Sequence, residues 1–234
     1  MLASNLRELI LCNRFYDYNE YRLKAFARRI GRETEKGKRL IDVGAGQTQY
    51  KKYFSNLEYV AQDSCVGDEQ WDFSRIDIKS EIYDIPVEAA SFDYVFCTQV
   101  MEHLRYPDKA FAEFNRLLKP GGRLYVTCPM TWKEHQQPHD FFRYTQFALK
   151  GLAHDHGFTM LEINKVGGKF ITIAKLLTDL YFVLKLPKPL LYLAVLILYP
   201  INFSIGLIAY LLDFLDRSKE LTLQYECILE KKTT

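Results

Sequence analysis

Apolar residues recur at helical spacing from Asn5 to Ile30, with Leu6, Leu9, Ile10, Tyr16, Leu23, Phe26 and Ile30 separated by Arg and Glu. That period predicts one or two amphipathic helices ahead of the core. Gly31 and the charged stretch Arg32 to Lys38 break the pattern. Arg39-Leu40-Ile41-Asp42-Val43 then forms a short apolar run that ends in glycines, the mark of a buried strand entering a tight turn. Further apolar runs at Leu57 to Ala61, Arg75 to Ile78, Phe92 to Cys97 and Arg123 to Cys128 read as strands. A helix predicted from Asp108 to Leu118 starts after Pro107, carries its apolar stripe on Ala110, Phe111, Phe114, Leu117 and Leu118, and stops at Lys119-Pro120-Gly121-Gly122. Strands alternating with helices predict an α/β fold with a doubly wound, mostly parallel sheet. Two more strands are expected at Phe158 to Val166 and Thr222 to Leu229.

Between those last two strands the pattern changes. Phe170 to Lys188 is amphipathic, with Ile173, Leu176, Leu177, Leu180, Tyr181 and Leu184 bordered by Lys169, Lys175, Lys185 and Lys188. Basic residues flanking an apolar face suit anionic lipid headgroups. Leu190 to Leu212 then runs without a charge, long enough to cross a bilayer, but Pro200, Asn202, Ser204 and Gly206 sit in it. If the strands on either side share one sheet, the chain must return to the side it left. The expectation is therefore a helical hairpin bent near Pro200 and Asn202, dipping into one leaflet. A dimerisation surface is the alternative, since apolar patches also bury against a partner chain, here in a homodimer. The organisation read this way is an N-terminal helical segment over 1–36, a main domain over 37–168 with 219–234, and an apolar helical insertion over 169–218.

Size and charge narrow the picture further. With 234 residues, 48% of them hydrophobic, the chain can bury one substantial core. A formal charge of +2 gives no support to a nucleic-acid partner. The five cysteines stand far apart, without CxxC spacing, which fits a reducing cytosol. Met1 to Tyr21 carries Arg7, Glu8, Arg14 and Asp17 where a signal peptide would have its apolar core, so a cytoplasmic chain at the membrane face is expected.

Candidate chemistry lies in three clusters. Ile41-Asp42-Val43-Gly44-Ala45-Gly46 places an acid before a Gly-x-Gly turn at the end of a strand, where glycines let a ligand approach the backbone. A dinucleotide fingerprint would add a third glycine leading into a pyrophosphate-binding helix, and none is present. A plain strand-to-turn glycine pair is the structural alternative. Asp63 ends the next strand, where a carboxylate can bind both ribose hydroxyls or simply initiate a turn. Trp132 to Thr145, reading WKEHQQPHDFFRYT, follows the fifth strand and concentrates Glu134, His135, His139, Asp140, Arg143 and Tyr144.

The ordered motifs IDVGAGQTQY, Asp63, SEIYDIPVEAASFDYVFCTQVMEHL and RLLKPGGRLYVTCP resemble the class I S-adenosylmethionine-dependent methyltransferases of the broad UbiE and UbiG-like superfamily. The resemblance covers roughly Lys38 to Lys165 and resumes at Thr222. It implies a seven-stranded Rossmann-like sheet and S-adenosyl-L-methionine as cofactor. By this similarity Asp42, Gly44, Ala45 and Gly46 form the loop at the methionine end, and Asp63 with Ser64 meets the ribose. Glu81 and Ile82 match the acid–apolar pair that flanks the adenine, although relatives more often have Asp at the first position. Thr98 lines the pocket after the fourth strand, and Tyr50 either covers the cofactor or packs in the core. Glu102 and His103 have acid–base chemistry, but in these relatives their turn commonly stabilises the fold.

Similar EHxxPHDFFRYT segments occur in methyltransferases that accompany glycan and cell-surface lipid biosynthesis. Methyl transfer to oxygen needs a base, and a histidine suits that task. His135 or His139 is the expected base, with Asp140 or Glu134 orienting it and Arg143 fixing the substrate or the loop. Structurally, Asp140 and Arg143 could simply pair, and Tyr144 and Thr145 could cap the next helix. Glu134, His135 and His139 are metal-ligand types, but no metal is expected. The acceptor implied is a small molecule or lipid-linked saccharide. A prenylated aromatic or quinone acceptor and a non-catalytic membrane scaffold are the competing readings.

Overall fold

The computed structural model describes residues 14, 15, 17–67, 71–178 and 188–233, with backbone alone for 188, 189 and 191–196. Helix α1 spans Tyr18–Glu33; the part of the predicted N-terminal helices before Arg14 lies outside the described residues. Asp17 caps α1 by accepting the Glu20 amide at 3.2 Å. The helix runs straight through Gly31, where a break was expected. A Cβ at Gly31 would lie 2.0 Å from the Tyr53 carbonyl oxygen, so the glycine allows a close backbone approach.

The strands are β1 (Arg39–Val43), β2 (Glu58–Asp63), β3 (Ile78–Lys79), β4 (Phe92–Thr98), β5 (Leu118–Pro129), β6 (Phe158–Val166) and β7 (Gln224–Lys231). They form one seven-stranded sheet in the order β3-β2-β1-β4-β5-β7-β6. The pairs β1–β2, β1–β4, β2–β3 and β4–β5 are parallel, so the loops that leave β1, β2, β4 and β5 open at one edge. The order reverses between β1 and β4, the switch point at which open α/β sheets bind ligands. Ile41, Val43, Val95, Cys97, Leu124 and Val126 bury one sheet face against Phe111, Phe114 and Leu117 of helix α2 (Pro107–Leu117). The Lys119-Pro120-Gly121-Gly122 segment does not separate helix from strand. It lies inside β5 as an irregularity, where the register jumps from Phe92–Leu118 to Tyr94–Arg123. Helix α3 (Gln146–Asp155) follows, capped by the Thr145 hydroxyl, which accepts the Ala148 amide at 3.3 Å.

The chain divides into two compact units, Ala25–Asn164 with Tyr225–Thr234, and Met1–Lys24 with Lys165–Gln224. The second holds α4 (Lys169–Thr178) and α5 (Lys188–Leu212), which pack on each other. The remainder of the predicted amphipathic stretch, 179–187, lies outside the described residues. A hairpin bend near Pro200 is not found, because α5 is one continuous helix of 25 residues with Pro200 inside it. Each expected breaker is absorbed locally. Ser204 donates its hydroxyl to the Pro200 carbonyl at 2.8 Å, Asn202 is buried, and Gly206 lets the Phe15 carbonyl come so close that a Cβ would sit 1.7 Å from its oxygen.

Helix α4 borrows its cap from residues after α5. The Asp213 carboxylate accepts the Gly168 amide at 2.9 Å and the Ile171 amide at 3.3 Å, and Asp216 accepts the Lys169 amide at 2.8 Å. These acids satisfy donors that a helix start leaves open, and they stand at the positive end of its dipole. Asp213→Ala is expected to cost roughly 2–4 kcal/mol, because the buried acceptor of two amides is lost. Hydrogen exchange of the Gly168–Thr178 amides checks this, and unchanged protection would refute the cap.

Candidate active site

Gly44 and Gly46 carry the turn after β1 with φ of 71° and 52°, in the left-handed region that favours glycine. A Cβ at Gly44 would also lie 2.5 Å from Val100, so space and backbone agree on the residue. The Gln62 carbonyl accepts the Gly44 and Ala45 amides at 2.9 and 3.0 Å. Its side-chain amide donates to the Ser80 carbonyl at 2.7 Å, tying the β1 turn to the segment after β3. Asp63 joins two loops. One oxygen accepts the Gly46 amide at 2.9 Å and the other accepts the Cys65 amide at 2.7 Å. Each oxygen keeps a further lone-pair direction for a ligand hydroxyl.

Asp42 is 1% exposed and accepts the Tyr59 hydroxyl at 2.5 Å. Burial pushes its pKa up to about 7; the Asp63 charge adds to the rise and the Tyr59 hydrogen bond opposes it. Ser64 and Thr98 are half-buried, Glu81 is exposed and Ile82 is buried in the core. Tyr50 is buried edge-on to Phe96, with ring centroids 5.6 Å apart. Two residues absent from the motifs brace the glycine turn and the loop after β2. One is Gln62; the other is Trp71, whose ring lies 3.9 Å from a Cβ placed on Gly46 and 2.9 Å from one on Gly67. Neither has a local signal, since both act across loops.

The segment after β5 folds back on the turn Met101–His103 that follows β4. The Glu102 carbonyl accepts the Phe141 and Phe142 amides at 2.8 and 3.1 Å, and the Tyr144 hydroxyl donates to the Met101 carbonyl at 3.0 Å. Arg143 grips Asp140 through two nitrogens at 2.6 and 2.7 Å, and donates to the Lys133 and Trp132 carbonyls at 2.8 and 3.2 Å. The guanidinium holds the Asp140 carboxyl well below the usual carboxylate range. Asp140 also accepts the His135 amide at 2.9 Å, and its oxygen stands 3.3 Å from His135 Nδ1. Asp140 and Arg143 therefore fix the loop and place the His135 ring. The imidazole of His139 is exposed, and its backbone carbonyl lies 2.7 Å from His103 Nδ1. Glu134 is exposed and accepts the Gln137 side chain at 3.3 Å.

Glu102 and His103 turn out to belong to the same cluster. The His103 and His135 rings meet edge-on, with centroids 4.6 Å apart. Glu102 is fully buried, and neither carboxylate oxygen takes a hydrogen bond from another residue. Burial pushes its pKa up to about 8. The local sequence could not reveal this, because the partners come from a segment following a different strand.

Residues 14–163 match the methyltransferase domain family. Over 39% of its length the chain is 33% identical to a malonyl-[acyl-carrier protein] O-methyltransferase of Hahella chejuensis, spanning 37% of that protein. Among solved structures it resembles Haemonchus contortus phosphoethanolamine N-methyltransferase 2 in complex with S-adenosyl-L-methionine, with 17% identity, a TM-score of 0.58, and coverage of 97% of this chain and 56% of that one. It also resembles the [4+2]-cyclase SpnF, with 17% identity, a TM-score of 0.61, and coverage of 94% and 83%.

Proposed function

We propose, because this chain belongs to the methyltransferase domain family, that it transfers the methyl group of S-adenosylmethionine to an oxygen of a membrane-associated glycan or lipid-linked acceptor. The observation that carries the cofactor half is the Asp63 carboxylate straddling the Gly46 and Cys65 amides, with acidic Asp42 behind the glycine turn. Two acids beside a loop that lacks the third glycine of a dinucleotide fingerprint suit a cationic sulfonium nucleoside and disfavour a pyrophosphate. A related fold that hosts a cyclase shows that the architecture alone does not name a reaction, so these residues bear the argument. An oxygen acceptor is supported by the relative named as an O-methyltransferase.

In the reaction the acceptor oxygen attacks the methyl carbon as the carbon–sulfur bond breaks, the electron pair staying on sulfur. Alignment and exclusion of water supply most of the acceleration. Removal of the acceptor proton falls to the cluster of Glu102, His103 and His135, positioned by Asp140 and Arg143.

The acceptor's location rests on α5. Ile197, Ile201, Ile208 and Leu211 expose large apolar areas along it, and Phe214 and Leu215 continue the surface. Ile197–Leu215 is long and apolar enough to cross a bilayer. The return of the chain to the sheet as β7 supports a helix lying in the interface of one leaflet over one that crosses. The protein then works as a peripheral or monotopic enzyme at the cytoplasmic face. In liposome flotation, Ile201→Glu combined with Ile208→Glu is expected to shift the protein from the floating to the soluble fraction, and labelled cofactor should mark the lipid extract of a cell envelope. Unchanged flotation, or label confined to aqueous products, defeats the membrane-acceptor reading.

A further inference from the structure

Glu102, His103 and His135 each offer one ligand atom, and those atoms lie within 4.8 Å of one another. By ligand type the sequence groups Glu134, His135 and His139, with no metal expected, and the structure leaves Glu134 and His139 exposed. The structure instead assembles a two-histidine, one-carboxylate set from two segments. We infer that this set is a divalent transition-metal site of the zinc type.

Three observations point to it. The Glu102 carboxylate is wholly buried and neither oxygen takes a hydrogen bond from another residue, although a buried acid normally recruits donors. His103 Nε2 is likewise buried without a hydrogen bond, and it faces Glu102 Oε1 at 3.9 Å, too far for one. Finally, both rings are oriented through the opposite nitrogen. His103 Nδ1 is held by the His139 carbonyl at 2.7 Å, and His135 Nδ1 lies 3.3 Å from both Asp140 and the Lys133 carbonyl. An oxygen acceptor on one ring nitrogen fixes the tautomer that leaves the other free for a metal.

The distances fit with small adjustments. Metal–ligand bonds of about 2.0–2.2 Å place tetrahedral ligands roughly 3.3 Å apart, within a side-chain shift of the observed spread. Three protein ligands also leave a position open, as in catalytic rather than structural zinc sites. Where the methyltransferase reading holds, an ion held by Glu102, His103 and His135 would polarise an acceptor oxygen and make its proton more acidic, so the cluster would act on that proton through the metal.

The test uses the full chain, stripped with chelator and titrated with Zn²⁺ by calorimetry and with Co²⁺ by visible absorption. One saturable site per chain is expected, with tetrahedral Co²⁺ bands. Glu102→Gln, His103→Gln and His135→Gln should each weaken binding at least tenfold, and His154→Gln, at an exposed pair outside the cluster, should leave it unchanged. Glu102→Gln keeps the shape of a buried group, so it tests binding without relying on a disrupted fold. Absence of a saturable site, or equal affinity in Glu102→Gln, overturns the inference. Because the readout is the ion and not turnover, that failure leaves methyl transfer standing, and a protein that binds zinc but not the cofactor would fail the methyltransferase reading alone.

Discussion

Replacing Asp63 with Ala is expected to lower affinity for S-adenosylmethionine and S-adenosylhomocysteine by about 10²- to 10⁴-fold. The magnitude follows from two ribose contacts to an ionised acceptor, each worth roughly 1.5–3 kcal/mol. Part of the loss is indirect, because the Gly46 and Cys65 amides lose the acceptor that fixes both loops. Asp63→Asn separates the two contributions. Its single carbonyl oxygen can keep one amide, but its NH₂ group meets the other donor head-on. Calorimetry with both nucleosides, beside a thermal melt of each variant, is the measurement. Retention of binding within threefold by a folded Asp63→Ala protein would remove the reason for reading the glycine turn as a nucleoside site.

Asp42→Asn is expected to move stability and binding in opposite directions. The folded protein holds the Asp42 proton more tightly than the unfolded chain, since its pKa rises from 3.8 to about 7. The associated stability is therefore fully present below about pH 4 and is lost as pH rises through 7, an effect of up to roughly 4 kcal/mol. Without cofactor, the asparagine variant should match or exceed the parent's melting temperature at pH 8 and should lose that pH dependence. Cofactor affinity should fall by about ten- to a hundredfold, the worth of one charge-assisted contact. In the parent, affinity should rise from pH 6 to 8 as the carboxylate ionises and attracts the cationic ligand. A variant destabilised at pH 8 with unaltered affinity would assign Asp42 to the fold alone.

Where the sequence was legible, a single local rule sufficed. The strands at Arg39–Val43 and Phe158–Val166 fall where the apolar run and the alternating pattern place them, with Leu40 to Val43 buried in the first and Phe158 and Val166 buried at the ends of the second. The misreadings share a cause, since a residue with strong local habits was placed by a distant neighbour. Gly31 continues a helix because the Tyr53 carbonyl needs its missing side chain. Pro200 sits mid-helix because Ser204 and the packing around Gly206 accommodate it. In the site, the glycine turn and Asp63 were visible because backbone geometry demands those residues at those positions. Glu102 and His103 were not, because a short motif records neither its burial nor the loop that folds over it.

The strand order has a consequence for how the chain matures. Strand β7 lies between β5 and β6, not at an edge, so β5 must find a partner roughly a hundred residues further along the polypeptide. During synthesis β6 and the apolar α5 therefore emerge before the strand that completes the sheet. Until that strand arrives, the nascent chain displays both an unpaired strand flank and a greasy helix, a combination prone to aggregate at the ribosome. A lipid surface or chaperone that shelters the helix during this interval would raise the yield of folded protein.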